Sequence, residues 1–149
     1  MISCDTNILF IGLEESRPGH AQAREFLDGH RDNPEFALCE LVLLELYVLL
    51  RNPVVARHPL NAGDAASLIQ ELRGNPRWDV LDYPGPDADI MNELWQLAAT
   101  ADFPRRRVFD VRMALTLRHH GVTEFATANR KDFQNLGIRR IWNPLELSE

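Results

Sequence analysis

Residues 109 to 133 read FDVRMALTLRHHGVTEFATANRKDF, which spells a helix, a turn, a short strand and a loop. This order constrains the fold more than any other stretch does. A strand fed directly by a helix belongs to an α/β layering, in which helical crossovers join parallel strands. The helix is predicted from the apolar stripe Val111, Met113, Ala114, Leu115 and Leu117 that follows Asp110, and His119, His120 and Gly121 supply its stop. Cationic side chains suit the negative end of a helix, and glycine suits the position just beyond it. Phe125 and Ala126 predict a brief strand that empties into Thr127, Asn129, Lys131 and Asp132. In parallel sheets, ligands and chemistry gather at that carboxyl edge. Taken alone, Asp110 reads equally well as a helix N-cap.

The same grammar runs through the rest of the chain. Ile2, Ser3 and Cys4 predict a first strand that runs straight into Asp5, Thr6 and Asn7 and then a short helix through Leu13. A helix is expected over 20–30, with Ala21, Ala23, Phe26 and Leu27 at helical spacing, and a strand at 36–38. CELVLLELYVLLRN over 39–52 is the strongest helix signal, with Pro53 as its stop. Further helices are expected over 62–73, with Ala66, Leu68, Ile69 and Leu72 inward, and over 87–101, with Asp87 and Asp89 capping its first turn. Val80-Leu81 and Ile138, Ile141 and Trp142 read as strands, and 103–107 as a basic linker. The expected architecture is one domain over 1–149, a three-layer α/β/α fold with a small parallel sheet of four or five strands.

Glu45 shares a helical face with Leu41, Val48 and Leu49, so the pattern places a carboxylate on or beside a core-facing stripe. An unpaired buried carboxylate costs several kcal/mol, which an arginine, a proton or a cation has to offset. Asp5 and Asp110 also sit where strands or helices turn toward the sheet edge. Two full charges about 5.5 Å apart repel by roughly 3 kcal/mol at an effective dielectric near 20. Several carboxylates therefore converge stably only around something positive, and oxygen-ligated Mg²⁺ or Mn²⁺ is the natural choice. Such an ion can activate water and hold a scissile phosphate, and it lets an acidic protein meet an RNA backbone.

Overall charge bears on this reading. The net charge is −6, which argues against coating nucleic acid by bulk electrostatics. Residues 1–101 carry 7 Arg against 16 acids, whereas residues 102–142 carry 9 Lys or Arg against 4, so the segment around Asp110 is locally basic. Cys4 and Cys39 lack any CxxC or Cys/His spacing, which predicts two buried free thiols rather than zinc or a redox pair. The longest apolar run is too short to span a bilayer, and no basic leader precedes it, so a cytoplasmic location without membrane partners is expected.

Taken together, DTNIL at 5–9, LVLLELYVLLRNP at 41–53, FDVRMALTLRHHGV at 109–122 and TANRKDF at 127–133 resemble a PIN-domain nuclease, and within that family the VapC toxins of toxin–antitoxin pairs. The resemblance covers nearly the whole chain in order. It implies a parallel sheet flanked by helices, Mg²⁺- or Mn²⁺-dependent endoribonuclease activity, a homodimer, and inhibition by a VapB-like antitoxin that lays a peptide over the active site. It also implies that Asp5, Glu45 and Asp110 are the acidic metal-site residues and that Thr127 is their accompanying hydroxyl residue. Many relatives carry Asp two residues after that Thr, where this chain has Asn129, with Asp132 three residues further on. Asn129, through its carbonyl or a water, and Asp132, from the next turn, are both candidates to complete the metal and catalytic set.

Thr6, Asn7, Thr127, Arg106, Arg112 and Lys131 are the expected substrate contacts. A different class of reading is a PIN-like binding module whose carboxylates hold no metal and whose surface docks a partner chain. A phosphatase with Asp5 as nucleophile is disfavoured, because no second Asp stands at position 7.

Overall fold

The computed structural model describes residues 1–146 and builds each strand from three residues, at least two of them apolar. In chain order the elements are β1 (Ile2–Cys4), α1 (Thr6–Leu13), α2 (His20–His30), β2 (Ala37–Cys39), α3 (Glu40–Arg51), α4 (Ala62–Arg73), β3 (Asp79–Leu81), α5 (Ile90–Ala98), α6 (Arg107–His119), β4 (Glu124–Ala126) and β5 (Arg140–Trp142). Two 3₁₀ turns, Pro86–Ala88 and Arg130–Asp132, complete the set.

All strand pairs are parallel. β4 lies between β1 and β5, and β2 pairs with β3. A single bridge from Ile2 to Phe36 joins the two groups, so the strands run β3-β2-β1-β4-β5. The chain steps outward from β1 to β3 and then returns past β1 to β4. Right-handed crossovers therefore put α1–α4 on one face of the sheet and α5 and α6 on the other. The packing agrees: α1 touches α2 and α3, α3 touches α4, and α5 touches α6. Reversal of the strand order between β1 and β4 opens a crevice beyond their carboxyl ends, the place where such sheets bind ligands.

The core explains why the helices keep their faces. Ile8 and Leu9 of α1, Leu43 and Leu46 of α3, and Met113, Leu115 and Leu117 of α6 are essentially inaccessible, as are Phe125 and Phe133. Each fully buried side chain of this size contributes about 1.5–3 kcal/mol. α1 and α2 approach closely at Gly12, where a Cβ would stand 2.6 Å from Leu27 Cδ1.

Four expectations need correction. The buried face of α3 is Val42, Leu43, Leu46 and Leu50, so Glu45 lies outside the core stripe and is exposed, with Leu44 and Val48 exposed beside it. α6 begins at Arg107, three residues ahead of Asp110, so Asp110 is a first-turn residue and not the N-cap. α5 starts at Ile90 because Asp87 sits in a 3₁₀ turn and Asp89 takes a left-handed φ of 58°. In α4 the inward alanine is Ala65, and Ala66 faces solvent.

Candidate active site

β1 and β4 end in register, Cys4 opposite Ala126, so the residues that follow them, Asp5 and Thr127, emerge side by side. The Asp5 backbone N–H donates to the Ala126 carbonyl at 2.8 Å, which continues the ladder into the site. Asp5 does cap α1, its Oδ1 accepting from the Thr6 N–H at 2.8 Å. Its other oxygen faces the crevice and accepts from Thr127 Oγ1 at 2.7 Å and Asn7 Nδ2 at 3.2 Å. Thr127 Oγ1 in turn accepts from the Asn129 N–H at 3.0 Å, and Asn7 Oδ1 accepts from the Ala128 N–H at 3.2 Å. Every polar atom of this small net serves to orient one carboxylate.

Glu45 arrives from α3. Its Oε2 accepts from Thr6 Oγ1 at 2.8 Å, so the residue after the first acid holds the second. Asp110 stands half-buried on the first turn of α6. Asp132 comes from the 3₁₀ turn beyond β4 and accepts from Asn129 Nδ2. Arg106, just ahead of α6, and Phe109 and Asp110 within it face Leu44, Glu45 and Val48 of α3 across a cavity of about 540 Å³. Thus two of the acids lie in the wall of one open groove.

The charges of the other three acids are all felt at the Asp110 carboxyl. The Asp110 carboxyl is pushed up to about 7, first by burial and then by the charges of Asp5, Asp132 and Glu45, with Arg107 acting in the opposite sense. Asp5 is pushed up to about 6, chiefly by burial, against the lowering effect of its Thr127, Thr6 and Asn7 hydrogen bonds. A cation entering the hollow is stabilised by all four charges and draws both protons off. The donor set is oxygen throughout, Asn129 included, with neither sulfur nor imidazole among these residues, and this is the chemistry of Mg²⁺ and Mn²⁺. Among the described residues no three His, Cys, Asp or Glu side chains already close on one point. Mg²⁺ in general takes one or two carboxylates directly and keeps several waters, so it does not require three to converge.

The remaining expected residues divide by position. Thr6, Asn7 and Thr127 lie within the carboxylate net. Arg106 is exposed in the groove wall and Lys131 is exposed on the 3₁₀ turn. The Arg112 guanidinium instead stacks over the Tyr83 ring at 4.5 Å. Sequence reasoning missed Arg107, which donates from Nε to the Asp132 carbonyl at 3.2 Å and from Nη2 to the Gln134 carbonyl at 3.3 Å. Its spacing of three from Asp110 is a helical signal that the linker assignment hid. Also missed was an exposed apolar strip, Leu44 at 63%, Val48 at 61% and Phe109 at 60%.

Known proteins resemble this chain in sequence and in fold. The family model described as the PIN domain matches residues 2–138. Ribonuclease VapC24 of Mycobacterium tuberculosis is 49% identical over 145 residues, covering 97% of each chain. Among solved structures, VapC20 of Mycobacterium tuberculosis, a sarcin-ricin loop cleaving toxin, superposes with a TM-score of 0.62 at 18% identity, covering 84% of this chain and 87% of that one. DNA-bound VapBC from Salmonella typhimurium does so with a TM-score of 0.64 at 19% identity, covering 96% and 97%. At such identities the two structures speak for the fold alone.

Proposed function

This chain belongs to the PIN-domain family, and from that premise we propose how its ring of acids cuts RNA. It is a VapC-type endoribonuclease toxin with an antitoxin partner, and its family is metal-dependent. The supporting observation is that Asp5, Glu45 and Asp132, from three other segments, each set their charge against the Asp110 carboxyl, while Thr6, the neighbour of Asp5, donates to Glu45 at 2.8 Å beside the switch point of the sheet. Asp5, Glu45 and Asp110 are the residues that would hold Mg²⁺ or Mn²⁺, with Asn129 or Asp132 completing the set. When bound, such an ion acidifies a water and offsets charge on the scissile phosphate.

The protein's own residues do the rest. Thr127 and Asn7 present one Asp5 oxygen to the crevice in its ionised form, because hydrogen bonds to a carboxylate favour its charge. Thr6 fixes Glu45 on the open side of the hollow, where a phosphodiester and its attacking water enter. These three side chains are occupied in that way, so we assign them positioning roles. Arg106 and Lys131 flank the acids as exposed cations and are the phosphate contacts of this reading. Arg112 is engaged with Tyr83 and is assigned none.

Leu44, Val48 and Phe109 form an apolar strip on α3 and α6 along the rim of the groove. A contiguous apolar surface of this kind marks an interaction site. Because the strip continues into the catalytic groove, we assign it to a second copy of the chain, paired symmetrically so that the two grooves adjoin. An antitoxin segment laid across that shared mouth would block both. Among the described residues no helix is long and apolar enough to cross a membrane. Digestion of total RNA with and without EDTA, with fragment ends read by sequencing, tests the nuclease reading. Cleavage by the wild type that stops in chelator and in Asp5→Asn supports it, and cleavage that persists in EDTA overturns it.

A further inference from the structure

We propose that Arg107 is a positioning residue that sets Asp132 against Asp110, an inference that rests on the nuclease reading above. Arg107 is the first residue of α6, the helix that carries Asp110 one turn later. Its guanidinium spans two carbonyls of the loop after β4, Asp132 at 3.2 Å and Gln134 at 3.3 Å. A planar fork with several N–H donors can grip two acceptors at once, whereas an ammonium donates from a single point. The Phe103 ring lies 5.6 Å from the guanidinium and limits its swing.

The loop has other holds on either side of Asp132: the Ala128 N–H donates to Asn7 Oδ1 at 3.2 Å, Arg130 pairs with Glu146 at 3.2 Å, and Arg118 of α6 donates to the Leu136 carbonyl at 3.1 Å. Phe133 is buried against Phe125 at 4.8 Å, and the Thr127 N–H donates to the Trp142 carbonyl at 2.9 Å. Between those anchors 128–131 is exposed. Among the described residues the Asp132 side chain is held by Asn129 alone, a neighbour within the same loop, so that contact fixes nothing relative to Asp110. Arg107 is the hydrogen-bonded link from the Asp110 helix to the Asp132 backbone. Among the described residues it forms no ion pair with any carboxylate, so its donors are spent on the backbone and the acids keep their charge for a cation.

Hydrogen exchange on the metal-free protein and Mn²⁺ titration calorimetry, each on wild type, Arg107→Ala and Arg107→Lys, test this. Arg107→Ala is expected to speed exchange of the 129–134 amides while leaving β4 and the body of α6 unchanged, and to weaken Mn²⁺ binding about 10-fold, as loss of an outer support to a ligand does. Arg107→Lys keeps the charge but not the two-carbonyl grip, so it should follow the alanine variant, and it serves alone if the latter does not fold. In an Asp132→Asn background Arg107→Ala should change Mn²⁺ affinity less than about two-fold, because coupled residues are non-additive. Unchanged exchange over 129–134, tighter Mn²⁺ binding in Arg107→Ala, or wild-type behaviour in Arg107→Lys overturns the positioning role. A wild type that binds no Mn²⁺ overturns the nuclease reading, and the exchange measurement then decides the loop clip by itself.

Discussion

Replacing Asp110 with asparagine should stabilise the metal-free protein, and the size of the gain should depend on pH. The folded chain raises the Asp110 carboxyl from 3.8 to about 7, so between those values the folded form binds protons that the unfolded form has released. Stability then falls as pH rises through that window and carries the full cost above it. At 1.36 kcal/mol per pH unit the difference corresponds to roughly 4 kcal/mol, which solvent screening of a half-buried group reduces to about 2 kcal/mol. Asparagine keeps the shape and removes the charge. In EDTA at pH 8, Asp110→Asn should melt about 4–8 °C above wild type, given roughly 2–4 °C per kcal/mol for a chain of this size. At pH 5 the folded carboxyl is protonated while the unfolded one is still ionised, so roughly two fifths of the cost remains and the gain should shrink to about 2–3 °C. Excess Mn²⁺ should raise the wild type and leave the variant nearly unmoved, because an ion that binds only the folded state stabilises it by mass action. Calorimetric scans at the two pH values are the assay. An equal gain at pH 5 and pH 8, or none at either, would show that the four charges do not meet as described.

Three other substitutions probe the site and the surface. Thr127→Val removes the 2.7 Å donor to Asp5, so the Asp5 carboxyl should rise further above 6, the pH profile of RNA cleavage should move to higher pH, and stability should drop by about 1 kcal/mol, with Thr127→Ser restoring both. Glu45→Gln alters an exposed side chain, so its melting temperature should stay within about 2 °C of wild type while RNA cleavage falls roughly 100-fold; equal loss of both would mean a structural role. Leu44→Glu should convert a dimer to a monomer by light scattering, since it places a charge in the centre of an apolar contact, and an unchanged mass would place the second copy elsewhere.

Much of this was readable from residue order, and the failures share a cause. Strands of three residues announce themselves by two or three apolar side chains, and each is legible because a polar cluster or a proline stands before or after it. The acids at strand ends were found the same way, since a carboxylate directly after β1 has few places to go. Glu45 was placed wrongly with respect to the core because α3 is apolar nearly all round: with Leu44 and Val48 on the outer face, periodicity cannot tell which stripe is inward. The outward apolar face is itself informative, and only tertiary structure distinguishes it. Arg107 was lost through a boundary error of three residues, the usual weakness of helix starts that lack a side-chain cap, and α6 has none. The hydrogen-bond net among Thr6, Asn7 and Thr127 could not be foreseen, because it depends on the register of β1 with β4, more than a hundred residues away in sequence.

That separation has a bearing on folding. Asp5 and the hydroxyl that orients it stand 122 positions apart, so the pair forms only when two remote stretches of chain meet. β1 cannot pair with β4 until the helices between them have folded back, and long-range parallel pairing of this kind is slow to form. A centre knit from such distant parts exists only while the sheet is closed, and any opening of β1 from β4 takes it apart.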